Sequence, residues 1–130
     1  MTDSTSPTSR EPAVRTLAMP ADANPSGDIF GGWLMAQMDI AGGIVAHARA
    51  RGRVATVAVD GMEFHQPVYV GDLVSCYAGI VRIGRTSMTV EVETLVCRRR
   101  DGETVKVTRG TFVYVALDET GRPREVPAEE

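Results

Sequence analysis

Apolar and polar residues alternate in two distinct regimes along the chain. From Trp33 to about Ala48 the segment WLMAQMDIAGGIVAHA contains only Gln37, Asp39 and His47 as polar groups, and its length predicts one helix. The helix is apolar nearly all the way round, so it is expected to be enclosed by other elements. Beyond it the period changes to two. Arg53–Val59 is rich in Val and Thr, and Gly61–Phe64 runs into a break at Pro67 and a turn signal at Gly71-Asp72. Leu73–Val81 is mixed on both faces, as a central strand is. In Thr86–Val96, Met88, Val90, Val92 and Val96 share one face, and Thr89, Glu91 and Glu93 share the other. In Thr104–Leu117, Val105, Val107, Thr111, Val113, Val115 and Leu117 share a parity, again the pattern of a half-buried strand. Ile83-Gly84 and Arg100-Asp101-Gly102 supply the turns.

One long helix followed by four or five strands predicts an α+β fold, with a curved antiparallel sheet wrapped around the helix. A single layer of this kind leaves one sheet edge and one side of the helix partly uncovered, and dimerisation is the usual remedy. Residues 1–12, rich in Ser, Thr and Pro, and residues 122–130, RPREVPAEE, are expected to be disordered tails flanking one domain over 13–121.

Composition removes several classes of function. At 130 residues, 43% hydrophobic and 24% charged, the chain supports a single core. Its formal charge of -3 and its few aromatic residues, three Phe, three Tyr and one Trp, argue against nucleic-acid binding. The longest uncharged run, Ile29–Met38, has ten residues, well short of the roughly 18–20 that span a bilayer. No membrane partner is expected. The first twelve residues lack the apolar stretch of a secretory signal, which makes the cytoplasm the expected compartment. Cys76 and Cys97 lie on predicted strands without metal-ligand spacing and are expected as buried thiols. The scattered His47 and His65 suggest no metal.

The chemistry concentrates in Asn24-Pro-Ser-Gly-Asp-Ile-Phe-Gly-Gly-Trp and the helix behind it. Gly27, Gly31 and Gly32 form a glycine-rich loop leading into the helix start, where backbone N–H groups have no intrahelical partner and can receive a developing oxyanion. Asp39 is the only acid in the helix. A carboxylate in such surroundings is costly unless it is paired, hydrated or functional. It either makes an architectural hydrogen bond or belongs to a site. Asp39 lies seven residues beyond Gly32, roughly 10 Å along a helix, so one small carbonyl cannot touch both groups within one chain. Two helices packed antiparallel about a twofold axis would bring the Asp of one beside the helix start of the other. Gly42 and Gly43, unfavourable inside a helix, would allow close approach of a neighbouring helix or strand.

The run LAMPADANPSGDIFGGWLMAQMDIAGG, followed by VDGMEFHQPVYVGDLVSCYA and GRTSM, resembles the short bacterial acyl-CoA thioesterases of YciA type, from about Val14 to Pro127. The resemblance implies a hotdog fold of five to six strands around a long central helix. It further implies hydrolysis of fatty acyl-CoA thioesters by a dimer often assembled as a trimer of dimers. Coenzyme A enters as part of the substrate, and no separate cofactor is implied. The helix Asp, here Asp39, would serve as general base or nucleophile, and the loop Asn, here Asn24, would position substrate or water. Backbone donors near Gly31 and Gly32 would polarise the carbonyl. Arg85, Thr86 and Ser87 make either an ordinary turn or, as the resemblance favours, contacts to the pantetheine or phosphate part of coenzyme A. Arg98-Arg99-Arg100 is a local basic run that could meet the nucleotide phosphates but is more often a solvated turn, and it stays outside the candidate site.

Two other functions compete. Asp22-Ala-Asn24-Pro25 resembles the opening of the D-x-N-P-x-H signature of hotdog enoyl-CoA hydratases, but Gly27 stands where the histidine is required. A non-catalytic acyl-CoA binding module would gain nothing from an enclosed carboxylate. Ser26 and Ser87 lack the G-x-S-x-G setting of a serine hydrolase.

Overall fold

A computed structural model describes residues 11–129. Residues 1–10 of the expected amino-terminal tail, and Glu130, lie outside the described residues. The elements are β1 (Val14–Leu17), a 3-10 turn (Pro20–Asp22), α1 (Gly31–Ala50), β2 (Val54–Phe64), β3 (Leu73–Ile83), β4 (Ser87–Cys97) and β5 (Thr104–Ala116). One antiparallel sheet has the strand order β1-β3-β4-β5-β2, and α1 packs across it.

The helix is longer than its apolar run at both ends. Gly31 and Gly32, expected in a loop, form its first turn, and Phe30 at the N-cap offers no capping side chain. The first N–H groups therefore gain no side-chain acceptor from their own cap. Arg51 ends the helix in the left-handed conformation (φ 53°), with His47 and Arg49 in the last turn, where cations suit the helix dipole. Leu34, Met38, Ala41, Ala46 and Ala50 face the sheet and are buried. The opposite side is not enclosed by this chain: Ile40 and Ile44 are 52% and 49% exposed.

β4 follows its sequence pattern, with alternate residues from Met88 to Val96 buried against the helix. β5 does not. Opposite it, Thr94 pairs with Thr108 and Leu95 with Lys106, so one extra residue is inserted at Val107. Such a bulge reverses the faces of all that follows. Phe112, Tyr114 and Ala116 consequently point into the core, while Thr111, Val113 and Val115 lie on the outer face.

Two further departures come from backbone bonding that composition does not reveal. Val14–Leu17 pairs with Leu73–Cys76 as a short edge strand. Residues 122–129, expected as a tail, are tied down along their length. The Arg124 and Val126 N–H groups donate to Ala116 O and Arg85 O at 2.9 Å. Arg49 and Arg51 donate to the carbonyls of Pro127 (2.7 Å) and Ala128 (2.9 Å). Val126 packs against the core.

Candidate active site

Asp39 lies midway along α1, half-buried, facing the start of β2. Thr56 Oγ1 donates to its Oδ1 at 2.7 Å. The Tyr114 hydroxyl lies 3.1 Å from the same oxygen and 2.8 Å from the Asp39 carbonyl oxygen. Thr56 and Tyr114 are paired across β2 and β5. The next β2 residue, Val57, is bulged out of the ladder and 57% exposed, while Thr56, paired with the inward-facing Tyr114, faces the helix. Burial first, then the charge of Asp39 and the bond to it, push the Tyr114 phenol well above its ordinary range, so it remains a donor. Both hydroxyls converge on Oδ1. Among the described residues Oδ2 has no hydrogen-bond partner.

Gly42 explains how the tyrosine fits. A Cβ on Gly42 would overlap the Tyr114 hydroxyl and stand 3.0 Å from two of its ring carbons. The close approach expected at this glycine is thus made by a side chain of β5. It is worth the roughly 1 kcal/mol a helix loses with Gly in place of Ala.

Asn24 is built into a tight turn. Its Oδ1 accepts the N–H groups of Ser26 (2.9 Å) and Asp28 (3.1 Å), and Gly27 adopts φ 95°. With the oxygen occupied by its own loop, the group left to address a ligand is the Nδ2 donor. The turn is held against the body by Ile29 N–H donating to Val68 O at 2.9 Å and by a bridge between Asp28 and Tyr69. Asn24 and Gly31 line one cleft of about 340 Å³ with Leu34, Phe64, Gln66 and Val68. The Phe64 ring lies over Gly31, 3.5 Å from where a Cβ would be, and nothing crowds Gly32.

The site residues named from sequence therefore fall into two groups. Asn24, Gly31 and Gly32 stand at the end of β2, whereas Asp39 stands at its beginning. Arg85, Thr86 and Ser87 belong with Asp39: the sheet register aligns Met88, Tyr114 and Thr56 in one row, placing the hairpin about 10 Å away, two strand spacings. The backbone of this hairpin is engaged, since Arg85 O and Thr86 O accept N–H groups from Val126 and Ala116. Arg98 is not the solvated residue expected. Its Nη1 donates to Asp72 Oδ2 at 2.6 Å and to Pro67 O at 2.9 Å, with both side chains largely buried. His65 is exposed and pairs with Glu63 at 3.3 Å. Cys76 is buried, its thiol pushed up to about 11 by desolvation, and Cys97 is half-buried. A concavity of about 820 Å³ between Arg51–Arg53 and Asp118–Thr120 holds none of the named site residues. Among the described residues no helix is long and apolar enough to cross a membrane, and no His, Cys, Asp and Glu side chains gather as metal ligands.

Thr56 and Tyr114 were not identified from sequence. A threonine in a Val-rich strand carries no signal, and Tyr114 falls outside the parity shared by Val113 and Val115, which the β5 bulge turns away from the core. The glycine at 42 was the one available sign that something approaches the helix there.

Helix, sheet and an acid in the helix interior are features of a hotdog thioesterase, and the thioesterase superfamily model matches residues 26–98. The chain belongs to that superfamily and, within it, to the acyl-CoA thioester hydrolases of YciA type. It is 52% identical over 122 residues to the acyl-CoA thioester hydrolase YciA of Salmonella typhimurium, covering 92% of each chain. Among solved structures it is similar to the hexameric thioesterase y2039 from Yersinia pestis (51% identity, TM-score 0.87, 93% of this chain and 98% of that one). It is equally similar in fold to HI0827, a hexameric broad-specificity acyl-coenzyme A thioesterase, in a variant with an Asp-to-Ala substitution (47% identity, TM-score 0.87, 91% and 87%).

Proposed function

We propose that the chain hydrolyses the thioester of fatty acyl-CoA to free acid and coenzyme A, at two equivalent sites of a dimer, each built from both protomers. The observation that carries this reading is the placement of Asp39. Its carboxylate lies within hydrogen-bond distance of two hydroxyls at Oδ1, has no partner at Oδ2 among the described residues, and faces β2, an edge strand of the sheet.

β2 is an edge strand of eleven residues with Val57 and Val59 exposed, flanked on the helix by the exposed Ile40 and Ile44. A long apolar edge of this kind invites pairing with another strand. Antiparallel pairing of two β2 edges lays the two helices side by side and brings the start of one strand beside the end of the other. Asp39 and Thr56 of one protomer then approach the cleft that holds Asn24, Gly31 and Gly32 of its partner. The hexameric relatives support a trimer of such dimers.

In this site the N–H groups of the first helical turn and the Asn24 Nδ2 polarise the thioester carbonyl. Asp39 Oδ2 takes a proton from water as the water oxygen bonds to the carbonyl carbon, or attacks that carbon itself and expels the coenzyme A thiolate, forming an anhydride that water then cleaves to the free acid and the Asp39 carboxylate, its proton passing to the thiolate. In the first route the tetrahedral oxyanion collapses, the carbon–sulfur bond breaks, and the proton held by Asp39 passes to the departing thiolate. Arg85, Thr86 and Ser87, at Asp39's end of the sheet, contact the pantetheine or phosphate part of coenzyme A. No cofactor beyond the coenzyme A of the substrate is required by these steps.

Thiol release from acyl-CoAs of increasing length, followed with a thiol-reactive dye, tests the reading. Wild type is expected to release thiol, and Asp39→Asn, nearly isosteric, to lower turnover at least about a hundredfold with an unchanged fold. Hydration of crotonyl-CoA without thiol release would instead mark a hydratase, and binding without either reaction a non-catalytic module. Undiminished hydrolysis by Asp39→Asn would make the carboxylate architectural.

A further inference from the structure

The hydroxyl of Tyr114 has one proton to donate, and both acceptors within its reach belong to Asp39. The ring is buried and stacked near Phe112, with centroids 6.4 Å apart and planes inclined by 17°. Among its immediate inner-face neighbours Met88 and Phe112, a phenylalanine at this position would fill the same space. The hydroxyl must be accommodated by a glycine inside the helix, since any side chain at Gly42 would overlap it. A buried hydroxyl and a helix-interior glycine are each unfavourable on their own. Together they hold one residue, Asp39, with the hydroxyl 2.8 Å from its carbonyl oxygen and 3.1 Å from its carboxylate. Thr56 holds the same oxygen from β2, so two neighbouring strands restrain the carboxylate.

We propose that Tyr114, seated over Gly42, is a positioning residue that locks the Asp39 carboxylate with Oδ2 directed at the reacting thioester. The proposal rests on the hydrolytic reading above and adds to it a residue that touches neither substrate nor water. Its effect is exerted through the orientation of Asp39, where a misplacement of about 1 Å can cost on the order of a hundredfold in rate.

The test is a set of substitutions measured for kcat and KM separately, with thermal melting as a check on the fold. Tyr114→Phe is expected to lower kcat about ten- to hundredfold with KM little changed, because the interaction lost acts on the chemical step. Gly42→Ala should do the same by displacing the hydroxyl. Added to Tyr114→Phe, it should cost less than it does alone, since the hydroxyl it would overlap is gone and only the 3.0 Å ring contacts remain. In an Asp39→Asn background, Tyr114→Phe should change the residual rate less than about twofold. Wild-type kcat in Tyr114→Phe would overturn the proposal. So would an equal fall in the Asp39→Asn background, the mark of a general packing defect. Full activity of Asp39→Asn alone is a separate result: it would overturn the hydrolytic reading itself, whatever Tyr114 does.

Discussion

The Thr56 hydroxyl donates to the Asp39 carboxylate at 2.7 Å, joining the middle of α1 to the first residues of the edge strand β2. A helix-borne acid is thereby held at the boundary of the molecule, where a second chain can reach it. Thr56→Val keeps the shape and removes the donor. It is expected to lower kcat roughly tenfold or more, while Thr56→Ser, which keeps the hydroxyl, stays within a few-fold of wild type. Equal rates for the Val and Ser variants would show that the bond does not orient the carboxylate.

The loop that carries Asn24 depends on a buried ion pair some distance away in sequence. Asp72 accepts from Arg98 at 2.6 Å and from the Tyr69 N–H at 2.9 Å, and Tyr69 and Val68 in turn bridge the Asp28-Ile29 segment. Removing one partner of a buried pair strands the other charge. Asp72→Ala should lower unfolding free energy by about 3–5 kcal/mol in urea titration, and the paired substitution Asp72→Leu with Arg98→Met should recover most of that loss. A loss below about 1 kcal/mol for Asp72→Ala would show that water already screens the pair.

Stability above neutral pH should carry the signature of Cys76. Its thiol ionises near 9.0 in the unfolded chain and near 11 when buried. Between those values the unfolded chain has released a proton that the native state retains. The native state then binds more protons, so stability is complete below about pH 9 and falls as the pH rises toward 11, by about 2 kcal/mol. Cys76→Ala should flatten that decline in urea midpoints measured from pH 8 to 11. A decline as steep in the variant as in wild type would assign the effect to other groups.

How much of this was legible beforehand follows from which interactions leave a periodic trace. The helix was visible because an uninterrupted apolar run of that length has few other solutions, and β4 because its two faces differ in polarity. β5 misled because Val113 and Val115 are as apolar as Phe112 and Tyr114. With both faces hydrophobic, only the bulge at Val107 decides which turns inward, and a bulge is set by pairing with a neighbouring strand. The carboxyl-terminal segment was misjudged because it is held by backbone bonds and arginine donors, neither of which raises apolar content. Asp39 stood out as a charge in apolar surroundings. Its partners did not, because Thr56 and Tyr114 acquire their meaning only when β2 and β5 are laid side by side under the helix.

The central claim is that each site is assembled from two chains, with Asn24 and the helix start contributed by one and Asp39 by the other. Asn24→Ala and Asp39→Asn chains, each nearly inactive alone, can be unfolded together and refolded into mixed dimers. If the groups act across the interface, one site of every mixed dimer is intact, and thiol release should return to roughly a quarter of the wild-type rate for random pairing. A refolded mixture no more active than its two parents, with mixed dimers demonstrably present, would place both groups in the same chain and contradict the account.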